Sequence, residues 1–134
     1  MNRLGRALMA VPVAVLITAG TATMASAATG KPSGAPPSGA KCVSTSGAKS
    51  CFSPKGDRVW VKDTKANGDS TAGTIKSKRP GGWARECFNH RGSDDGWVMC
   101  DFDVPEYQDA WLWAVNKPFI GSKSNRAIYT SDYI

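Results

Sequence analysis

Alternation of apolar and polar positions, broken at short intervals by turn residues, is the main pattern of this chain after Gly39. No helical spacing of apolar residues is sustained there. Clusters of Gly, Pro, Asn, Asp and Ser interrupt the chain roughly every 8 to 14 residues, which is typical of an antiparallel all-β domain. The pattern predicts strands over residues 49–53, 59–63, 71–77, 83–88, 97–103, 110–115 and 127–133. About seven short strands predict a compact antiparallel sandwich or barrel.

The segment 97–104 has a clear inside and outside. Its even positions are all apolar, whereas its odd positions include Asp101 and Asp103. Because successive side chains of a strand point to opposite faces, the even positions are predicted to face the core. Trp97, which is at an odd position, is therefore predicted on the outer face.

The segment 110–115, AWLWAV, is apolar at both parities. Such a run is typical of a strand that is covered on both faces. This favours a place in the core for Trp111 and Trp113.

A tight hairpin is predicted at Asn67-Gly68, a dipeptide that accepts the positive φ angles of a two-residue turn and lies between two β-prone runs. With a two-residue loop, Trp60 faces Ile75 and turns inward. With a three-residue loop and Gly68 in a bulge, Val59 faces Ile75 and Trp60 turns outward. The three-residue loop is the preferred register.

An outward Trp60 would make a candidate binding surface. Arg58 and Lys62 share its face of the strand, so their charges can lie over the indole ring and their stems can cover it. Flat, exposed rings are suited to stacking against sugars. We therefore interpret Trp60 and Trp97, with Arg58 and Lys62 beside them, as the candidate site of a carbohydrate-binding or cell-wall-binding module.

The first residues have the pattern of a secretory signal peptide. Arg3 and Arg6 precede a short apolar run, and a small-x-small cleavage site ends at Ala27. Residues 1–27 are therefore predicted to be the signal peptide of a secreted, extracellular protein, with no membrane attachment after cleavage. The Pro/Gly/Ser-rich segment 28–39 is predicted to be a disordered linker, and residues 40–134 to be the folded domain.

Four cysteines follow the cleavage site, an even number that in an oxidising compartment predicts two disulfides. Sequence allows three connectivities. The short loops favour Cys42 with Cys51 and Cys87 with Cys100.

No cofactor or metal is expected. A zinc site at Cys87, His90 and Cys100 would need reduced thiols, which export disfavours. The segment 63–74 imitates the start of a calcium loop but has Lys65 and Thr74 where ligands are required.

Enzymatic activity is not expected either. His90, the single histidine, has Glu86, Ser93 and Asp94 nearby in sequence, which is only an outline of a hydrolase site. Triad members normally converge from distant segments, and here the serine and histidine share one loop. A small hydrolase is therefore the least favoured function.

The net charge of +6 does not by itself indicate a class of binding partner. Removal of the signal peptide would lower it further, and no nucleic-acid-binding signature is present, so nucleic acid is not the expected partner. The expected protein is a monomeric binding module for an extracellular polysaccharide or protein. The alternative is a secreted inhibitor, or another protein-interaction domain, that acts on an extracellular hydrolase.

Several short elements carry a resemblance. VWVKDTKANGD at 59–69, ECFNH at 86–90 and the ending TSDYI resemble a group of uncharacterised small secreted proteins of Streptomyces and related actinobacteria. The resemblance implies a secreted domain with two short-range disulfides and brings no known activity or site residues.

Overall fold

A computed structural model describes residues 25–66, 68, 70–106, 108–116 and 127–131 of the chain. Most of the predicted signal peptide, Asn67 of the predicted hairpin and Tyr133 of the last predicted strand lie outside these residues. No helix in the described part is long and apolar enough to cross a membrane. The strands are β1 (Ala25–Thr29), β2 (Lys31–Ser33), β3 (Lys41–Ser44), β4 (Ala48–Ser53), β5 (Arg58–Asp63), β6 (Thr71–Ser77), β7 (Ala84–Asn89), β8 (Trp97–Asp101), β9 (Ala110–Asn116) and β10 (Ala127–Ser131).

The strands form two five-stranded sheets that pack as a sandwich. Sheet 1 has the order β1-β7-β6-β9-β10, and sheet 2 has the order β2-β8-β5-β4-β3. All neighbours are antiparallel except β1 and β7, which are parallel. The predicted all-β sandwich is thus confirmed. The seven predicted strands correspond to β4 through β10, while β1, β2 and β3 were not predicted.

The core lies between the two sheets. Val59 and Val61 of β5 pack there against Ile75 of β6 and Leu112 of β9. The Cys87–Cys100 disulfide joins β7 to β8 and so links sheet 1 to sheet 2 through the core. The Cys42–Cys51 disulfide joins the neighbouring strands β3 and β4 of sheet 2. Both disulfides match the predicted pairing.

The predicted hairpin between β5 and β6 is wrong. β5 pairs with β4 and β8, whereas β6 pairs with β7 and β9, so the two strands belong to different sheets. The connection over residues 64–70 crosses from one sheet to the other. Val61 and Ile75 meet across the core instead of side by side in one sheet. Neither predicted register exists, although Gly68 does have the positive φ of a turn, 73°.

Part of the Pro/Gly/Ser-rich segment, which its composition predicts to be a disordered linker, forms strands. β1 extends to residue 29, and β2 pairs with β8 at the edge of sheet 2. Pro32 is tolerated there because an edge strand needs hydrogen bonds on one side only. Backbone pairing, which composition does not report, orders residues 28–29 and 31–33 of this segment.

Residues 34–40, here called the strap, connect the two opposite edges of sheet 2. β2 and β3 are separated by three other strands, so the strap must span about 19 Å across the sheet, which is within the roughly 23–25 Å that seven extended residues can reach. The inner face is occupied by sheet 1. Ala35 and Pro37 lie around one concavity with Trp60, which places the strap on the outer face of sheet 2.

The two sheets approach each other closely at Gly73 of β6. A Cβ at this position would overlap Ser50 Oγ and would lie 2.8 Å from Val61 Cγ2, and both residues belong to sheet 2. We expect Gly73→Ala to lower the free energy of unfolding by about 1–3 kcal/mol, since overpacking forces neighbours out of their preferred positions. Urea denaturation monitored by circular dichroism measures the change.

Gly34→Ala is the matched control. A Cβ there would have no atom within 4 Å, and the residue has no positive φ. Its effect should stay within about 0.5 kcal/mol. Equal effects of the two substitutions would contradict the close approach of the sheets at Gly73.

Candidate functional site

The four predicted site residues lie on the outer face of sheet 2. Arg58, Trp60 and Lys62 alternate with the buried valines of β5, and Trp97 of β8 is the direct neighbour of Lys62. The prediction that Trp97 faces outward is supported by its half-buried state beside the fully buried Val98. The structure therefore brings all four predicted residues to one face.

Trp60 does not provide the predicted platform. Only 5% of its surface is exposed. It lies between Cys51 and Met99 of the neighbouring strands, and Ala35 and Pro37 of the strap border the concavity next to it. A ring that is covered in this way cannot stack on a ligand, so Trp60 serves packing.

The two cations that flank Trp60 in sequence have other partners. Lys62 Nζ lies 5.9 Å from the centre of the Trp97 ring. Arg58 Nε lies 3.4 Å from Asp101 Oδ2 in an exposed ion pair, a type that contributes little to stability. Of the predicted tryptophan pair, Trp97 alone remains accessible, and its ring has a cation over it.

A second aromatic surface lies on the outer face of sheet 1. Trp111 and Trp113 alternate along β9 with Ala110, Leu112 and Ala114, which are buried in the core. The two indole rings are half-buried and nearly parallel, with an interplanar angle of 18° and 6.3 Å between their centroids. The prediction that these two tryptophans belong to the core is therefore corrected, because only the other face of β9 packs against sheet 2.

Polar groups border the two rings. Lys76 of β6 is the direct neighbour of Trp111, and its Nζ lies 5.9 Å from the centre of the Trp113 ring. In the adjoining row, Thr74 Oγ1 donates a 2.9 Å hydrogen bond to Glu86 Oε2. The surface, here called the tryptophan face, combines two aligned rings with an ammonium group and a carboxylate.

The sequence did contain a signal for the tryptophan face. In AWLWA, residues 110–114, the tryptophans occupy one parity, whereas small and aliphatic residues occupy the other. A strand of this kind can bury its small residues against a second sheet and leave both rings on the outer side. Because tryptophan itself is apolar, both parities of the run are apolar, and this concealed the alternation.

His90 lies at the end of β7, beside a polar concavity. Its ring stacks on Phe88 with 5.5 Å between centroids, and its Nδ1 lies 3.2 Å from Ser70 Oγ. Ser93 and Asp94 border the same concavity. The Glu86 carboxylate accepts a hydrogen bond from Thr74 on the tryptophan face, so it is not paired with the histidine as a triad partner.

The described residues contain no group of three or more His, Cys, Asp or Glu side chains arranged to hold a metal ion. Both thiols that a zinc site at His90 would use are joined in the Cys87–Cys100 disulfide. The disulfide therefore links this part of sheet 1 covalently to sheet 2.

Comparison with known proteins yields no relative. No family model matches the chain, no curated protein matches it, and no solved structure matches it.

Proposed function

We propose that this protein is an extracellular carbohydrate-binding domain that stacks sugar rings on Trp111 and Trp113. The proposal rests on the aligned, half-buried indole pair on the outer face of a rigid sheet. The apolar face of a pyranose ring matches an indole face, and Thr74, Glu86 and Lys76 beside the rings can exchange hydrogen bonds with hydroxyl groups.

Two disulfides support the extracellular location, because they persist in oxidising compartments. They also make the binding surface rigid, which lowers the conformational cost of binding.

Removal of one ring of the pair is expected to weaken binding about tenfold, which corresponds to about 1.4 kcal/mol. The mature protein is tested by retention on insoluble chitin, chitosan, cellulose and peptidoglycan, and then by titration with soluble fragments of the polymer that retains it. Trp111→Ala and Trp113→Ala are compared with the wild type. Trp111→Phe and Trp113→Phe, which keep a ring, should retain most of the affinity and show that the fold is intact.

Trp97→Ala is the matched control, since Trp97 is also a half-buried strand tryptophan with a lysine over its ring, but lies on sheet 2. Its polymer binding should equal that of the wild type. Loss of binding in Trp97→Ala, with both sheet 1 variants unaffected, would move the site to sheet 2. Failure to bind any polymer, together with inhibition of a secreted hydrolase, would favour the inhibitor function.

A further inference from the structure

Two lysine side chains lie next to each other on the outer face of sheet 2. Lys49 of β4 and Lys62 of β5 are direct cross-strand partners, and both are half-buried. The Cβ atoms of such partners are about 4.5–5.5 Å apart, so the two ammonium groups share one small area of the surface. Like charges that lie directly opposite each other destabilise a sheet. The fold therefore keeps a local positive charge here against its own stability.

No carboxylate of the described residues neutralises this lysine pair. Neither Lys49 nor Lys62 forms an ion pair within that part of the chain. Asp63 and Asp94 border a concavity together with Lys62. However, Asp63 points to the opposite side of β5 and accepts the Lys65 amide through its Oδ1. An anionic group of another molecule can therefore supply the neutralisation that the chain does not.

The lysine pair has a hydroxyl group on one side and an indole on the other. Ser44 of β3 is in register with Lys49 and is exposed, so its hydroxyl is available for a hydrogen bond with a bound group. Trp97 of β8 is in register with Lys62, whose Nζ lies 5.9 Å from the centre of the indole ring. This contact favours one position of the Lys62 ammonium group beside the ring. The lysine pair is thus a partly ordered cationic site with a polar neighbour.

The positive charge is local and does not continue as a track along β5. Arg58, at the other end of the strand, is ion-paired with Asp101, and Trp60 between the two cations is only 5% exposed. A nucleic acid gains affinity from a groove of cations that follows its backbone and from open rings that stack its bases. A single carboxylate needs only the two ammonium groups. The arrangement therefore suits a sugar acid better than a nucleic acid.

We infer that Lys49 and Lys62 form a second binding site, for a polysaccharide that carries carboxylate groups. One carboxylate of the ligand lies between the two ammonium groups, and Ser44 exchanges a hydrogen bond with a hydroxyl of the same chain. The site is on the opposite face of the sandwich from the tryptophan face and does not depend on the function proposed for it. A domain with both sites can hold a neutral and an acidic polysaccharide at the same time.

Isothermal titration of the mature protein with the pentamer of galacturonic acid and with its methyl ester tests the inference, because the ester lacks the negative charges. Hydrogen bonds to charged groups are strong enough for the acid to bind about tenfold more tightly than the ester in low salt. Lys49→Gln and Lys62→Gln should each remove most of this preference. Lys49→Arg, which keeps the charge, should retain it.

Arg79→Gln is the matched control. It removes one positive charge from an exposed residue in the connection between β6 and β7 of sheet 1, so the net charge of the protein changes equally. The preference for the acid should stay that of the wild type. An equal loss in Arg79→Gln would mean that the probe is attracted by overall charge, and would overturn the inference.

Stability and salt distinguish loss of the site from damage to the fold. Lys49→Gln and Lys62→Gln each remove a like-charge contact, so the urea midpoint of either variant should equal or exceed that of the wild type. A lowered midpoint would contradict the repulsion between the two lysines. Raising ionic strength from about 0.01 M to about 1 M shortens the Debye length from roughly 30 Å to 3 Å, which should remove most of the preference for the acid.

Three results would overturn the acidic polysaccharide site. The first is equal affinity of the wild type for the acid and the ester, and the second is an unchanged preference in both glutamine variants. The third is tighter binding of a single-stranded oligonucleotide that depends on the same two lysines, which would make nucleic acid the ligand. None of these results affects retention on chitin or cellulose, which tests the tryptophan face.

Discussion

Replacing Trp60 by alanine is expected to lower the free energy of unfolding by about 3–5 kcal/mol, the usual cost of deleting a large buried aromatic side chain. Only 5% of Trp60 is exposed, although the residue is on the outer face of sheet 2. The indole lines a concavity on this face together with Ala35 and Pro37 of the strap. Its removal leaves a void on the outer face of the sheet.

Chemical denaturation of Trp60→Ala beside Trp97→Ala measures this difference. Trp97 is half-buried on the same face and should cost no more than about 1.5 kcal/mol when truncated, because less of its surface leaves water on folding. Polymer binding should be unchanged in Trp60→Ala under conditions where the variant is folded. A cost below about 1 kcal/mol for Trp60→Ala would mean that the strap does not cover the ring in solution.

Strand positions were predictable because each depends on a short stretch of sequence. The predicted bounds 71–77 coincide with β6, and those of the other predicted strands differ from the structure by one or two residues wherever the residues are described. The side of β8 that faces the core also followed from alternation, since Val98 and Cys100 are buried. Local periodicity and turn chemistry are sufficient for decisions of this kind.

Strand pairing was not predictable in the same way. Asn67-Gly68 indicates that the chain reverses, but a reversal can join two strands of one sheet or can cross between two sheets. Four residues of β5 are buried, Val59, Trp60, Val61 and Asp63, so the strand is covered on both faces. β4 and β8 pair with its two edges, and the core then places β6 opposite β5. That choice depends on the whole set of strands.

The exposure of the candidate site residues was harder to predict than the strands. Aromatic rings on an outer sheet face were expected, yet Trp60 lies beside the strap, most of which was predicted from its composition to be a disordered linker. A segment of this composition can still be ordered by packing against another element. Trp111 and Trp113 were assigned to the core because their strand is apolar at both parities. In the structure only one face of this strand packs against sheet 2, which leaves the two rings on the outer face.

Removing the Cys87–Cys100 disulfide by a double substitution to alanine is expected to lower the free energy of unfolding by about 3–5 kcal/mol. The disulfide links sheet 1 to sheet 2, and its two cysteines are 0% and 4% exposed. Its loss restores entropy to the unfolded chain and also leaves a void between the sheets. Urea denaturation of the double variant, with the midpoint and slope both recorded, measures the change.

The Cys42–Cys51 double variant separates the two contributions. Its disulfide closes a loop of similar length, with a sequence separation of 9 against 13, so the loop-closure entropy of the two disulfides is nearly the same. However, it joins strands that are already hydrogen-bonded neighbours, and Cys42 is exposed. The expected cost is therefore about 2–3 kcal/mol. A cost equal to or above that of the Cys87–Cys100 variant would show that sheet-to-sheet packing does not depend on the disulfide between the sheets.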